Sequence, residues 1–214
     1  MAFKIIFRRN QQQNHFREWM IRALNFSQTD TAVICSGFFQ ENFRGSMFAL
    51  TQDRRFIAAA TNKEIITIGI HNNTWMPAYR DFRNNFSAIN PNITSYVSSR
   101  MKWHAKVFIA QSKGVPCFAI IGSSNMTRNA FGSPTLTPDF NYEADVIIWD
   151  SANSIVDKYF SQSFSDERIT DANMSSQISL IYRPEDNFGR TELDRLLEIQ
   201  DTLADYLGDM RILE

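Results

Sequence analysis

Apolar residues along the chain form two patterns, and stretches of the two patterns alternate. Helical spacing of apolar positions predicts amphipathic helices over residues 11–25, 76–89, 151–164 and 191–210. Short apolar runs rich in β-branched and aromatic residues predict buried strands over residues 32–39, 64–70, 93–99, 103–110, 116–122 and 144–150. Residues 48–50 and 56–60 are ambiguous. Strands that alternate with helices predict an α/β sandwich around a largely buried sheet.

The C-terminal part of the chain differs from the rest. The pattern weakens into polar, loop-like sequence over about residues 170–190, and a regular leucine stripe follows. Thr191 is the predicted N-cap of that helix, and Ser151 is the predicted N-cap of the helix before it. We therefore expect a main domain over residues 1–168. Residues 169–214 should form a loop and an amphipathic helix packed on the same domain or at a dimer interface.

Composition and charge narrow the class of protein. The chain has 214 residues, 43% of them hydrophobic, and a formal net charge of −1. This is typical of a globular protein, and any affinity for phosphate must come from a local cluster of positive charge. Cys35 and Cys117 lie in apolar runs without zinc-ligand spacing, which predicts buried free thiols. Because no apolar run approaches the ~20 residues that span a bilayer and no signal peptide is evident, we expect a cytoplasmic protein.

Basic and titratable residues alternate in and before one predicted strand. Four of them share one face of an extended segment: Arg100, Lys102, His104 and Lys106. Such neighbours repel each other and do not stabilise a sheet by themselves. The pattern fits a site for an anion, but a solvated strand edge protected by lysines has the same pattern.

A turn of small residues follows the next predicted strand. Residues 122–125 read Gly-Ser-Ser-Asn, and Arg128 lies one turn further on in a predicted helix. A strand–turn–helix junction offers backbone N–H groups and a positive helix end to an anion. Such a turn is common, but its position after the His-x-Lys segment favours a phosphate site.

An acid stands at the start of the strand that follows. A histidine that acts as a nucleophile or proton donor needs a group on its second ring nitrogen to fix its tautomer. Glu143 is a carboxylate of the right type for this role. A solvent-exposed acid at a strand end is the alternative interpretation.

Together these segments resemble the phospholipase D superfamily, whose signature combines His-x-Lys, an Asp and Gly-Ser-x-Asn. The matching segments read WHAKVFI, IIGSSNMTRNAF and NYEADVIIW, and SGFFQE near Ser36 fits the start of such domains. More narrowly, the chain is similar to single-motif bacterial nucleases and to the nuclease domains of metal-independent restriction endonucleases. The resemblance implies a mixed sheet flanked by helices on both faces, a C-terminal helical extension, and a catalytic domain over residues 1–168.

The resemblance also implies roles for the site residues. His104 matches the nucleophile that forms a phosphohistidine, Lys106 and Asn125 match phosphate-binding residues, and Glu143 resembles the acid that orients the histidine. The expected substrate-binding residues are Ser123, Ser124, Lys102, Arg100 and Arg128. Gln111 stands where the family commonly has its Asp, a supporting residue whose loss we expect to be tolerated. No metal or other cofactor is expected.

The motif occurs once, whereas the chemistry needs a second histidine to protonate the leaving group. His15 and His71 lack the following lysine and the downstream turn, and we expect both to be surface residues. A twofold dimer that shares one active site is therefore expected. Nucleic acid, DNA in preference to RNA, is the expected substrate in a restriction or defence setting. We expect no membrane contact, and a separate recognition or helicase-type protein is a possible partner.

Two alternatives stay open at the level of the sequence. The first is a phospholipid-directed phosphodiesterase, against which the lack of a signal peptide or membrane segment argues. The second is a catalytically weak or inactive nucleic-acid-binding or scaffold module of the same fold. The intact His104, Lys106 and Asn125 argue against the second alternative.

Overall fold

A nine-stranded β-sheet forms the centre of the described structure. The computed structural model describes residues 3–8, 14–42, 45, 47–70, 74–98, 104–132, 140–162, 177–180 and 183–213. In chain order the strands are β1 (Phe3–Arg8), β2 (Thr31–Ser36), β3 (Glu64–Ile70), β4 (Ile93–Ser98), β5 (Lys106–Ser112), β6 (Val115–Gly122), β7 (Glu143–Trp149), β8 (Gln177–Leu180) and β9 (Arg211–Ile212). Their order across the sheet is β8-β1-β7-β6-β5-β2-β3-β4-β9.

Helices cover both faces of this sheet. Those in the described residues are α1 (His15–Leu24), α2 (Arg54–Ala60), α3 (Met76–Ile89), α4 (Arg128–Phe131), α5 (Ser154–Ser161) and α6 (Glu192–Leu207). Buried side chains of α1 to α5 belong to one core, and those of α6 belong to a second core on the opposite face. Among the described helices, none is long and apolar enough to cross a membrane. The predicted α/β sandwich is confirmed.

The sheet is mixed, as the family resemblance implied. Strands β2, β3 and β4 are parallel neighbours, whereas β2 pairs antiparallel with β5. The half of the sheet from β5 to β8 is antiparallel throughout. Parallel neighbours need a crossover connection, which α2 and α3 provide here. Strands β5 and β6 form a hairpin, and α4 lies between β6 and β7. The motif-bearing strands are therefore three adjacent strands at the middle of the sheet.

Aromatic rings dominate the larger core. The Trp19 ring of α1 stacks on Phe118 at 6.0 Å between centroids, and Phe118 stacks on Phe160 of α5 at 4.6 Å. All three side chains are completely buried. Burial of such a side chain stabilises the fold by about 1.5–3 kcal/mol. This packing fixes α1 and α5 against the central strands.

Helix α6 covers the opposite face over β6 and β7. Leu196 and Leu203 are its buried residues and pack on the apolar side chains of that face. The helix begins as predicted: the Thr191 hydroxyl accepts from the Asp194 N–H, and the Asp194 carboxylate accepts from the Thr191 N–H. The C-terminal segment also contributes β8 and β9, so it completes both edges of the sheet.

Three strands are missing from the sequence-based prediction: β1, β8 and the two-residue β9. Strand β1 is a short apolar run that contains Lys4, and β8 lies in the stretch predicted to be a polar loop. Both runs are short, and pairing with neighbours defines them as strands more than their own residues do.

The Lys4 ammonium lies 4.9 Å from the centre of the Trp19 ring, so its aliphatic stem covers part of the core.

Two predictions at helix starts are wrong. Asn153, not Ser151, caps α5, because its side chain accepts from the N–H groups of Ile155 and Val156. His15 is only 5% exposed and does not lie on the surface. Helix α1 packs against the sheet on one side and against α2 and α4 on the other, so burial extends around most of the helix.

Cys35 and Cys117 are buried free thiols, as predicted. They lie on opposite faces of the sheet, one in each core. Burial raises the pKa of each thiol to about 12. Both thiols therefore stay protonated at neutral pH and are poor nucleophiles.

Candidate active site

Six of the nine expected site residues lie at one end of the sheet: His104, Lys106, Ser123, Ser124, Asn125 and Glu143. Strands β5 and β7 begin at this end, and β1, β2 and β6 finish there. The register pairs Lys106 with Gly122, and Gly122 with Asp145. Because neighbouring strands lie ~4.8 Å apart, these three positions form a row about 10 Å wide. Three segments that are separate in the sequence thus meet at one end of the sheet.

His104 lies just before β5 and not within it. The strand begins at Lys106, whose ammonium group donates to the His104 carbonyl oxygen at 2.6 Å. The predicted strand start at residue 103 is therefore wrong, and Arg100 and Lys102 lie outside the described residues. The His104 side chain is exposed, while Lys106 is partly buried. An exposed imidazole beside an ammonium group is open to a phosphodiester from solvent.

Gly122 permits a close approach of β6 and β7. A Cβ atom at this position would lie 2.0 Å from Asp145 Oδ1 and 2.6 Å from the Ala144 carbonyl oxygen. No side chain fits there without a movement of β7. The Asp145 carboxylate thus occupies the volume that a side chain at position 122 would need.

Asp145 holds the loop that follows Gly122. This residue is only 3% exposed, its Oδ1 accepts from the Ser124 N–H at 3.1 Å, and its Oδ2 accepts from the Ser124 hydroxyl at 2.6 Å. The Ser123 N–H donates to the Ala144 carbonyl oxygen at 3.2 Å. Two consecutive loop residues are therefore tied to β7. Ser124, expected from the sequence to bind substrate, is buried against a carboxylate.

The buried position changes the titration of Asp145. Burial raises the pKa of this carboxyl to about 6, although the hydrogen bonds from Ser124 act in the opposite direction and the charge of Glu143 adds to the rise. The group therefore titrates near neutral pH, within the range in which enzymes are usually assayed.

We expect the Asp145→Asn variant to lose one step in the pH dependence of stability. The folded-state pKa is raised, so this carboxyl stabilises the folded state at pH values below its ordinary pKa of 3.8, and that contribution is lost as the pH rises through about 6. The step amounts to about 3 kcal/mol at most. Asparagine does not titrate, so the difference in free energy of unfolding between wild type and variant should change across this interval in urea denaturation. The exposed Asp201→Asn is the matched control, and a constant difference for Asp145→Asn would contradict the prediction.

Ser36, at the end of β2, supports the loop from the other side. Its hydroxyl oxygen accepts from the Met126 N–H at 3.1 Å and lies 3.3 Å from Asn125 Oδ1. The Gln40 N–H donates to the Met126 carbonyl oxygen at 2.9 Å. The single Ser36 hydroxyl proton is within reach of both the Phe38 carbonyl oxygen, at 2.8 Å, and Asn125 Oδ1, and the donor that Asn125 can offer to a phosphate oxygen is its NH₂ group.

Glu143 contacts the loop. Its carboxylate accepts from the Ser123 hydroxyl and, at 3.1 Å, from Asn141 Nδ2. Within the part of the chain that the structure describes, no hydrogen bond joins Glu143 to the His104 ring. The structure thus brings Glu143 to the end of the sheet that carries His104, and its role as the orienting acid stays a prediction.

Arg128 lies apart from these residues. Helix α4, which begins at Arg128, is a single turn, so it offers only a small helix dipole to an anion. The Arg128 N–H donates to Gln40 Oε1 at 2.9 Å, and the residue lines a separate cavity of about 380 Å³ with Phe48 and Asp53. Arg128 therefore does not join Ser123 in the described structure.

Arg8 is a cation at this end of the sheet that the sequence did not reveal. It pairs in register with Glu143, and its guanidinium donates to the carbonyl oxygens of Asn129 and Ala130 at 2.6 and 3.0 Å. Burial lowers the pKa of Arg8 to about 10, against the opposing effect of Glu143, so the group is charged at neutral pH. A prediction of β1 as a strand beside β7 would have placed Arg8 at this end of the sheet.

Comparisons with known proteins agree with the predicted fold. The family model described as "Cardiolipin synthase, PLD-like domain" matches residues 20–164. NucT from Helicobacter pylori is similar at 18% identity and a TM-score of 0.41, over 74% of this chain and 96% of that chain. Yeast tyrosyl-DNA phosphodiesterase is 12% identical with a TM-score of 0.43, over 69% and 46%. Phosphatidylserine synthase from Haemophilus influenzae Rd KW20 is 11% identical with a TM-score of 0.47, over 96% and 43%.

The coverage differs among these similar structures. The chain spans nearly all of NucT but less than half of the other two proteins. No curated protein matches the chain.

Proposed function

Since the chain belongs to the phospholipase D superfamily, we propose that it is a metal-independent nuclease. The observation that carries the proposal is the register pair of Lys106 and Gly122, which sets the His104–Lys106 segment beside the Ser123–Asn125 loop. An imidazole, an ammonium group and a side-chain amide then share one end of the sheet. These groups can attack and hold a phosphodiester without a metal ion.

The proposed reaction has two steps. His104 attacks the phosphorus atom, and a phosphorus–nitrogen bond forms as the bond to the leaving oxygen breaks. Lys106 and Asn125 donate to the non-bridging oxygens and stabilise the charge of the pentacoordinate state. A second histidine gives its proton to the leaving oxygen and then accepts a proton from the water that hydrolyses the phosphohistidine. One water is consumed, and both histidines return to their starting states.

The second histidine comes from a second copy of the chain. His15 is buried in α1, His71 lies outside the described residues, and neither is followed two residues later by a lysine. A twofold axis at this end of the sheet would place two His104 rings on one phosphate. A dimer then holds one active site, to which both copies contribute His104 and Lys106.

Local charge supports nucleic acid as the substrate. Lys106 is a partly exposed cation at the site of a chain whose formal net charge is −1, whereas Arg8 is only 4% exposed. A dimer places two Lys106 side chains in one groove, which strengthens binding to a polyanion and makes it dependent on salt. The resemblance to restriction endonuclease domains favours DNA over RNA, with a separate protein for target recognition.

A phospholipid-directed activity is the second candidate, and one cavity favours it. A groove of about 430 Å³ lies between α6 and the sheet, and it is lined mainly by apolar side chains such as Val107, Ile121 and Leu203. Ala105, between His104 and Lys106, is part of its wall. The groove lies on the face of the sheet that α6 covers, and His104 and Lys106 alternate with Ala105 and Val107, so an acyl chain in the groove would reach the proposed nucleophile only around the end of β5.

We expect the purified protein to cleave DNA in the presence of excess EDTA, because the proposed chemistry uses only side chains. Single-stranded DNA, double-stranded DNA, RNA and phosphatidylcholine vesicles are incubated in parallel, and products are followed by gel electrophoresis and by release of phosphatidic acid. DNA cleavage that stops on addition of EDTA would sink the histidine mechanism. Phosphatidic acid without nucleic-acid cleavage would favour the second candidate instead.

A further inference from the structure

We propose that the cavity beside Glu143 is a subsite for an unpaired nucleobase, with Tyr142 as the stacking surface. The inference rests on the proposed function and specifies its substrate as single-stranded nucleic acid. The cavity has a volume of about 540 Å³ and is lined by Phe7, Arg8, Ser123, Tyr142, Glu143 and Ala144. Ser123 and Glu143 also belong to the proposed active site, so the cavity and the phosphate position share a wall.

Tyr142 is unusually open to solvent for a large side chain next to a core strand. It is 79% exposed, although it directly precedes β7. Its ring centre lies 5.3 Å from that of Phe140, and the Arg8 guanidinium lies 5.7 Å from the Phe140 ring. The ring is thus supported by neighbours while most of its surface faces water. A scattered exposed aromatic residue needs no explanation, but this one forms a wall of a cavity at the proposed active site.

The chemistry of the cavity suits a base that is not paired. Its volume falls within the range of sites for small organic groups. Phe7 and Tyr142 offer aromatic surface, and the faces of a nucleobase stack on such rings without regard to sequence. Neighbouring bases cover both faces of a base inside a duplex, so stacking on Tyr142 requires a single strand or an extruded nucleotide.

A lipid headgroup is the alternative occupant of the same cavity. A quaternary ammonium group such as choline also binds over aromatic rings. Arg8 and the acidic Glu143 both line this cavity, and Arg8 is only 4% exposed, so charge does not select between a headgroup and a nucleobase. The selection is therefore made by the comparison of strands with and without bases.

The test measures binding, so that it does not depend on cleavage. Fluorescence anisotropy gives the Kd of a labelled short single-stranded DNA and of an abasic strand of equal length, both in a His104→Ala background. Tyr142→Ala should raise the Kd of the base-containing strand by about 5- to 150-fold and leave the abasic strand nearly unchanged. Tyr142→Phe should keep the affinity of the parent protein. Ile155→Ala, which removes an exposed apolar side chain in α5 beyond the other end of β7, is the matched control.

Failure of the subsite and failure of the nuclease give different results. An equal loss of affinity for both strands, or no loss for either, would overturn the subsite. A duplex whose binding depends on Tyr142 as strongly as that of the single strand would also overturn it. A second measurement introduces Tyr142→Ala into the protein with an intact His104 and follows DNA cleavage. If cleavage is unchanged, the subsite proposal is wrong and the nuclease proposal stands. If binding depends on Tyr142 but the protein cleaves no nucleic acid, the subsite proposal stands and the nuclease proposal is wrong.

Discussion

Replacement of His104 by alanine is expected to lower the rate of phosphodiester cleavage by a factor on the order of 10⁴ to 10⁶. The imidazole supplies the attacking nitrogen, and the remaining donors can only position the substrate. The variant should fold normally, because the His104 side chain is exposed and the contact with Lys106 uses the backbone carbonyl oxygen. Initial rates on a DNA substrate in EDTA, measured together with thermal unfolding, check both expectations.

The matched control for this variant is Lys158→Ala. Lys158 is an exposed basic residue on α5, which follows β7 at the end of the sheet away from His104. Its replacement should leave both cleavage and stability unchanged. If His104→Ala cleaves DNA at a rate near that of the wild type, His104 is not the nucleophile.

Mixed dimers give His104→Ala a second, quantitative signature. When wild-type and variant chains are co-expressed in equal amounts, about one quarter of the dimers contain two wild-type chains. A site shared by two His104 residues then retains about one quarter of the activity, whereas independent sites would retain about one half. Activity proportional to the wild-type fraction, or full activity of a monomer in gel filtration, would contradict the shared site.

The Arg17→Met substitution is expected to lower the free energy of unfolding by about 3–5 kcal/mol. The Arg17 guanidinium donates to both carboxylate oxygens of Asp53, with a shortest distance of 2.7 Å, and the two side chains are 4% and 5% exposed. Methionine fills much of the volume but leaves the Asp53 charge buried without its cation. Asp53 also caps α2 through the N–H groups of Arg55 and Phe56, so it cannot move away without loss of that cap. Urea denaturation at neutral pH measures the change.

A surface ion pair nearby provides the control. Arg55 pairs with Glu18 at 2.7 Å but is 42% exposed, so Arg55→Met should cost less than about 1 kcal/mol. Adding Asp53→Asn to Arg17→Met should restore part of the stability, because asparagine can still cap α2 and carries no charge. If Arg17→Met costs no more than Arg55→Met, the buried pair does not have the proposed importance.

Local patterns sufficed for the central strands and for part of the site. Strands β2, β3, β6 and β7 are continuous apolar runs, and such runs are recognisable without knowledge of their neighbours. The His-x-Lys pair and the Gly-Ser-Ser-Asn turn are contiguous motifs, so their order along the chain was readable. Strand β1, by contrast, is a short run that becomes a strand by pairing between β7 and β8.

The residues that the sequence missed are those whose position depends on the register of distant strands. Asp145 reads as an ordinary acid near the start of an apolar run, and only its pairing with Gly122 shows that it is buried under the loop. Arg8 reaches the site because β1 places it opposite Glu143, far along the chain. His15 was misplaced because its burial depends on the packing of α2 and α4 around α1.

Gly122 and Asp145 occupy one small volume, so the residue at one position restricts which residues fit at the other. A Cβ atom at position 122 would meet Asp145 Oδ1 at 2.0 Å and two backbone atoms, the Ala144 carbonyl oxygen and Asp145 Cα, at 2.6 Å, so an alanine there requires a shift of β7 as well as a change at 145. Conversely, loss of the carboxylate removes one of these clashes but releases the Ser124 N–H and hydroxyl that it holds. Substitutions at the two positions are therefore not additive. A graft of the Gly122–Asn125 loop onto another domain of this fold would succeed only if the third residue of the neighbouring strand moved with it.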